Sequence, residues 1–207
     1  MTHEPPVAGA ALLELVEVMD RLRRECAWTA EQTHESLARY VLEEAHEVLE
    51  ALDAGDPDQL RDELGDLLMQ VVFHARIGSE ASGEARFDVD DVARGITDKL
   101  RRRNPHVFGD GTARTPAEID AAWQAVKAQE KRERGGRASV HDGIPASLPA
   151  LAYADKVLKR LGDPAPARGD DIGLRLLALV AEARAAGVDA EEALRRTVRT
   201  LPDAPAG

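Results

Sequence analysis

Aromatic residues make up only 3% of this 207-residue sequence, which also has a single cysteine and no long apolar run. One cysteine, Cys26, excludes an intramolecular disulfide and fits a reducing compartment. Every apolar run is shorter than the roughly 20 residues that cross a bilayer, and the N-terminal segment lacks the basic and apolar regions of a signal peptide. These absences predict a cytoplasmic protein without a membrane partner.

Basic residues are in the minority, because 38 Asp and Glu face 27 Lys and Arg and the formal net charge is -11. A protein that binds nucleic acid needs a basic surface to displace counterions from the phosphates. We therefore expect no nucleic-acid partner, and we expect any phosphate-binding site to be local.

Helix-forming residues dominate the composition, and apolar side chains recur with the helical period. The sequence therefore predicts an all-α helical bundle with almost no strand. A first helix is expected to end near Arg24. Apolar stripes over residues 41–52 and 60–75 predict an antiparallel pair of helices, joined by a Gly/Pro stop in which Asp56 is a candidate N-cap.

Further helices are predicted along the rest of the chain. One is capped by Asp88 or Asp90 and ends before Asn104, since a residue that precedes proline resists the helical conformation. The others are expected from Thr115 to the diglycine at 135–136 and over residues 147–161, 172–186 and 189–201.

The diglycine predicts a boundary between a domain over residues 1–134 and a tail over residues 135–207. The tail contains a diluted repeat, because residues 65–76 align with 173–184 and residues 87–100 align with 188–201. In the second copy Leu174 stands at the position of Asp66. The apolar positions are kept where the acidic ones are lost.

Five acidic residues occupy paired positions on the two antiparallel helices. Glu43, Glu44 and Glu47 lie within about one helical turn, and Glu63 and Asp66 lie one turn apart on the return helix. Each acid alone is typical of a solvated helix face. Together they offer hard oxygen ligands, which select magnesium or manganese over zinc or copper. The pattern therefore predicts a magnesium site.

Lys99 and Arg103 lie one helical turn apart, with Arg101 and Arg102 beside them. A local cationic ridge in an acidic protein suits a polyphosphate. Basic residues also stabilise the C-terminal end of an ordinary helix. From the residues alone, both interpretations stay open.

Glu43-Glu-Ala-His-Glu47 followed by Glu63-Leu-Gly-Asp66 resembles the EExxE and ExxD signature of the MazG-type, all-α nucleoside triphosphate pyrophosphohydrolases. Residues 26–37, 98–108 and 123–127 are similar to the family's CPWDxxQTHxSL, DKLxRRHPHVF and WExxK segments. The similarity covers residues 11–134 almost continuously. Ala27 and Thr29 depart from the pattern, which has Pro and Asp at these positions.

The resemblance implies hydrolysis of nucleoside triphosphates to the monophosphate and pyrophosphate, by attack of water at the α-phosphate, in house-cleaning or control of the nucleotide pool. It implies that Mg²⁺, for which Mn²⁺ can substitute, is held by Glu44, Glu47, Glu63 and Asp66. Glu43 is either a further ligand or the group that orients the attacking water, and it is the candidate general base. The tail resembles a second MazG unit without the metal helix, so catalysis is assigned to residues 1–134.

The resemblance also implies how the nucleoside triphosphate is bound. Lys99, Arg103 and Lys127 are expected to contact the phosphates, and Trp123 or Trp28 is expected to stack on the base. A homodimer is implied by the family, and a second copy would cover apolar stripes that one short chain leaves open.

Three alternatives stay open. One is a narrower pyrophosphohydrolase of the same superfamily, specific for dUTP or phosphoribosyl-ATP. Another is a catalytically idle nucleotide-binding or regulatory module, suggested by Ala27, Thr29 and the degenerate tail. The third is a di-iron carboxylate bundle, suggested by Glu43 and His46, although the return helix has Asp66 where such a bundle uses histidine.

Overall fold

The computed structural model of the chain describes residues 9–133, 135, 139–164, 169 and 171–202. These residues form ten α-helices and contain no strand, so the predicted all-α fold is confirmed. The helices are α1 (Ala10–Glu25), α2 (Ala27–Glu31), α3 (His34–Ala54), α4 (Pro57–Gly78), α5 (Val89–Arg103), α6 (Pro105–Phe108), α7 (Pro116–Glu133), α8 (Ala150–Leu161), α9 (Ile172–Ala185) and α10 (Ala190–Arg199). A single 3-10 turn lies at Gly83–Ala85.

The chain divides into two compact units, Met1–Trp123 and Gln124–Gly207. The sequence predicts a boundary between residues 134 and 135, which separates the catalytic domain from the degenerate tail. Residues 134 and 136 lie outside the described residues. That boundary therefore stays a prediction.

Helices α3 and α4 form the hairpin of the first unit. Thr33 and Ser36 make a reciprocal capping box that begins α3. Gly55 ends the helix in the left-handed conformation, with φ of 69°, and the Asp56 carboxylate then accepts hydrogen bonds from two N–H groups in the first turn of α4. A connection of two residues requires the helices to run antiparallel, as the sequence predicts.

Apolar side chains from α1, α3 and α4 form the core of the first unit. Met19, Leu37, Val72 and Phe73 are buried there. Burying a side chain of this size contributes about 1.5–3 kcal/mol. The side chains packed around them are those of Leu15, Val16, Tyr40, Met69, Ile77 and Val89. This core fixes α3 and α4 against each other at the level just beyond the acidic residues.

Helix α5 begins with a capping box between Asp88 and Asp91, which selects Asp88 over Asp90 as the cap. None of its residues is buried within the described part of the chain. Val92, Ile96 and Leu100 repeat at helical spacing, and each is at least one third exposed. The apolar stripe of α5 is therefore open beyond its first turn.

The short helices α2 and α6 were not predicted, because five and four residues are too few to display a helical period. Thr29 in α2 is 6% exposed, and its hydroxyl donates to the carbonyl oxygens of Leu22 and Cys26. Ala27 occupies the first position of α2, where proline would also fit. Both departures from the family pattern thus lie in a structural turn after α1.

The second unit contains the three predicted short helices, α8 to α10. Leu158 and Val180 are buried in it, and Arg184 forms ion pairs with Asp155 and Asp163. In the described parts of both units, every helix is too short or too polar to cross a membrane.

Candidate metal and nucleotide site

Three of the four predicted metal ligands meet between α3 and α4. Carboxylate oxygens of Glu44, Glu63 and Asp66 all lie within 4.8 Å of one another. The antiparallel hairpin explains the pairing, because positions equally distant from its turn face each other. The helical spacing of the acids and the two-residue connection together produce this group.

Three ionised carboxylates at this spacing repel one another. Burial raises the pKa of Glu44, and the charges of Asp66 and Glu47 raise it further. Burial also raises the pKa of Glu63, with additional contributions from Glu47 and Asp66. Glu47 therefore acts on both carboxyl groups and belongs to the same cluster. A bound cation would neutralise the repulsion that contributes to these raised pKa values.

Glu43, the candidate base, lies outside this group of three. It precedes Glu44 by one residue, so its side chain leaves α3 about 100° away, and it is exposed. The geometry places Glu43 next to this group of three rather than within it.

Gln70 is a site residue that the sequence interpretation missed. It is buried one turn beyond Asp66, and its side-chain hydrogen bonding to Glu44 lowers the pKa of that carboxyl group. The available signal was a glutamine between Met69 and Val71 in an otherwise apolar stretch of α4.

Trp28 lies beside the hairpin on the side of the α3 N-terminus. Its ring meets Tyr40 edge to face at 6.2 Å and Phe73 at 6.4 Å, and 52% of the residue remains exposed. Tyr40 precedes Glu44 by one helical turn, a rise of about 6 Å. Trp28 thus presents an aromatic surface near the acidic group.

The predicted cationic residues lie on other helices. Lys99 and Arg103 lie near the end of α5, and the Arg103 guanidinium lies 5.5 Å from the centroid of the Trp123 ring on α7. Lys127 follows on α7, in the second unit. The structure therefore brings Arg103 and Trp123 together.

The donor set fits magnesium. All the converging ligand atoms are carboxylate oxygens, and the group contains neither cysteine nor histidine. Ligands of one octahedral magnesium ion lie roughly 3–4.2 Å apart, given bonds of about 2.0–2.1 Å. Small side-chain rotations would bring oxygens within 4.8 Å of one another to that spacing.

Residues 32–108 match the family model of the MazG nucleotide pyrophosphohydrolase domain. This range contains the five acidic residues of the EExxE and ExxD segments and also Lys99 and Arg103. The chain is 47% identical over 201 residues to an uncharacterized 26.1 kDa protein of Streptomyces cacaoi, covering 95% of this chain and 81% of that protein.

Two relatives carry functional names. The nucleoside triphosphate pyrophosphohydrolase of Escherichia coli is 46% identical over 149 residues, which are 70% of this chain and 55% of that protein. The chain thus spans about half the length of that relative. The nucleoside triphosphate pyrophosphohydrolase/pyrophosphatase MazG of Thermotoga maritima is 36% identical, over 93% of this chain and 83% of that protein. The chain therefore belongs to the MazG family of nucleoside triphosphate pyrophosphohydrolases.

Proposed function

We propose that the chain hydrolyses nucleoside triphosphates to nucleoside monophosphate and pyrophosphate, with magnesium held by Glu44, Glu47, Glu63 and Asp66. The observation that carries the proposal is the convergence of carboxylate oxygens from two helices at one point. Carboxylates that crowd in this way raise one another's pKa and gain stability when a divalent cation neutralises them. Control of the nucleotide pool is the physiological role that this chemistry suits.

The residues around the metal ligands have separate roles. When bound, magnesium neutralises charge on the triphosphate and lowers the pKa of water close to the phosphorus under attack. Glu43 is exposed beside Glu44, so it is free to take the proton of an attacking water without giving up a ligand. The attack at the α-phosphate releases pyrophosphate.

The nucleoside and the phosphates are assigned to different surfaces. Trp28 is half exposed and packs on Tyr40, which lies one helical turn before Glu44, so we assign its ring to stacking on the base. Lys99, Arg103 and Lys127 are assigned to the phosphates, and Trp123, already stacked with Arg103, either orients that guanidinium or stacks on the base.

We further propose a homodimer in which a second copy covers the open stripe of α5. A helix of this length gains most of its stability from packing an apolar face. The exposed stripe Val92, Ile96 and Leu100 supplies such a face. Multi-angle light scattering should give twice the monomer mass, and Ile96→Asp should shift it toward the monomer. A monomeric wild-type chain would remove this part of the proposal.

The reaction is tested by measuring pyrophosphate and nucleoside monophosphate released from a panel of triphosphates, including dUTP, with magnesium and with excess chelator. Asp66→Asn should abolish release, whereas Asp62→Asn, an exposed carboxylate one turn earlier on α4, should retain it. Release that persists in chelator or in Asp66→Asn would refute the metal assignment. Binding without release from any substrate would instead support the idle-module alternative.

A further inference from the structure

Gln70 is a polar side chain within the buried face of α4, one turn beyond Asp66. Only 4% of its surface is exposed. Glu63, Asp66 and Gln70 follow one another at spacings of three and four residues, so their side chains share the face of α4 that points toward Glu44. The acidic signature described above does not include this glutamine.

The two ends of the Gln70 amide have different surroundings. Gln70 lowers the pKa of the Glu44 carboxyl group, which is the effect of a donor on an acceptor, so the NH2 group is the end assigned to Glu44. Its carbonyl oxygen Oε1 is buried and has no hydrogen-bond partner among the described residues. A buried amide oxygen without a partner is unfavourable, and such groups in native proteins often mark an ion, a water or a functional role. Leucine or methionine would fill the same space without that cost, so packing alone does not account for a glutamine here.

We propose that Gln70 is a positioning residue of the metal site: its NH2 group holds Glu44 in the orientation that binds the cation, and Oε1 accepts a hydrogen bond from the hydration water of that cation. The inference rests on the proposed function. Magnesium keeps several of its waters when carboxylates bind it, so a donor for Oε1 arrives with the ion. Replacing a residue that hydrogen-bonds to a metal ligand typically weakens metal binding by about 10- to 100-fold.

The test is Mn²⁺ binding by the full chain, followed by isothermal titration calorimetry, together with thermal unfolding in EDTA. Gln70→Met removes both polar groups at nearly constant size, and Gln70→Asn withdraws the amide by one methylene. Gln59→Met, at an exposed position in the first turn of α4, is the matched control. We expect the Kd for Mn²⁺ to rise at least about ten-fold in both Gln70 variants and to stay unchanged in the control. The midpoint of Gln70→Met in EDTA should stay close to that of the wild type, because loss of the unpaired buried oxygen offsets loss of the NH2 donor to Glu44.

Each other outcome counts against the positioning role. Equal Mn²⁺ affinity in the wild type and both Gln70 variants overturns it and leaves the proposed function intact. A loss of thermal midpoint that accompanies the loss of affinity in both variants assigns Gln70 to the core and also overturns it. Failure of the wild type to bind Mn²⁺ overturns the proposed metal site and this inference together. Gln70→Asn keeps the site polar, so it decides the question if Gln70→Met does not fold.

Discussion

Replacing Glu44 by glutamine should stabilise the metal-free protein and abolish its response to magnesium. Two unit charges 4.8 Å apart repel by about 0.9 kcal/mol in water and by about 3.5 kcal/mol at an effective dielectric constant near 20. Glu44 is only partly buried, so solvent screening favours the lower figure. Relief from Asp66 alone is therefore worth about 1 kcal/mol, or roughly 3–5 °C in midpoint for a unit of this size.

Magnesium should reverse this order of stability. A ligand at 100 times its Kd stabilises the folded state by about 2.7 kcal/mol, and Glu44→Gln lacks one of the carboxylates that we propose to bind magnesium. Circular dichroism melts in EDTA and in magnesium chloride compare the two proteins directly. Glu50→Gln, which alters an exposed carboxylate on the same helix, should leave the magnesium response intact.

The pH dependence supplies a second check on the same variant. The folded-state pKa of Glu44 lies above its ordinary value of 4.5, so the folded protein binds this proton more tightly than the unfolded chain does. The destabilisation is complete above the raised pKa and disappears as the pH falls to 4.5. The advantage of Glu44→Gln in EDTA should vanish over that window. A variant that is less stable than the wild type in EDTA, or that keeps the full magnesium shift, would refute the reasoning.

Three further predictions concern the packing of the first unit. Gly78→Ala places a Cβ 2.6 Å from the Phe87 ring and should lower the free energy of unfolding in urea by about 1–3 kcal/mol. Gly65→Ala, with no atom within 4 Å of its Cβ, should instead stabilise α4 by about 0.5–1 kcal/mol. Equal effects of the two substitutions would contradict the contact with Phe87. The Arg23 side chain is 9% exposed and donates to two backbone carbonyls and to the Glu80 carboxylate. Arg23→Met should therefore lower the free energy of unfolding by about 2–3 kcal/mol. A change near zero would show that these bonds do not stabilise the fold. Burial, followed by the charge of a neighbouring imidazole, lowers the pKa of His74, so its contribution to stability is complete above pH 6.5 and is lost as the pH falls through the lowered pKa. Melts across this range should show a smaller pH dependence for His74→Asn, and an unchanged one would exclude His74 as its source.

The hairpin was predictable because every signal for it is local. Two apolar stripes at helical spacing define α3 and α4, Gly55 supplies the left-handed stop, and Asp56 supplies the cap. Once the helices and their two-residue connection are known, the facing positions follow from counting residues away from the turn. That is why acids separated by some twenty positions in sequence could be assigned to one site.

Other parts of the site depend on tertiary contacts that no local pattern contains. Gln70 looks like one more polar residue until burial and the nearness of Glu44 are known. Thr29 departs from the family pattern in sequence, but its buried hydroxyl donates to the backbone carbonyls of Leu22 and Cys26. The stacking of Arg103 on Trp123 likewise joins two helices whose relative placement the sequence does not specify.

The position of the acids along the hairpin explains how α3 and α4 tolerate their repulsion. Ala51 is buried one turn beyond Glu47 toward the connection, and Leu37 and Phe73 are buried on the other side. The two helices are therefore clamped on both sides of the carboxylates, and they cannot separate without opening packed core, which costs more than the repulsion of a few partly solvated charges. The core thus holds these carboxylate oxygens close together in the absence of a cation. Because that arrangement is already formed, binding a cation relieves repulsion without first requiring the helices to close.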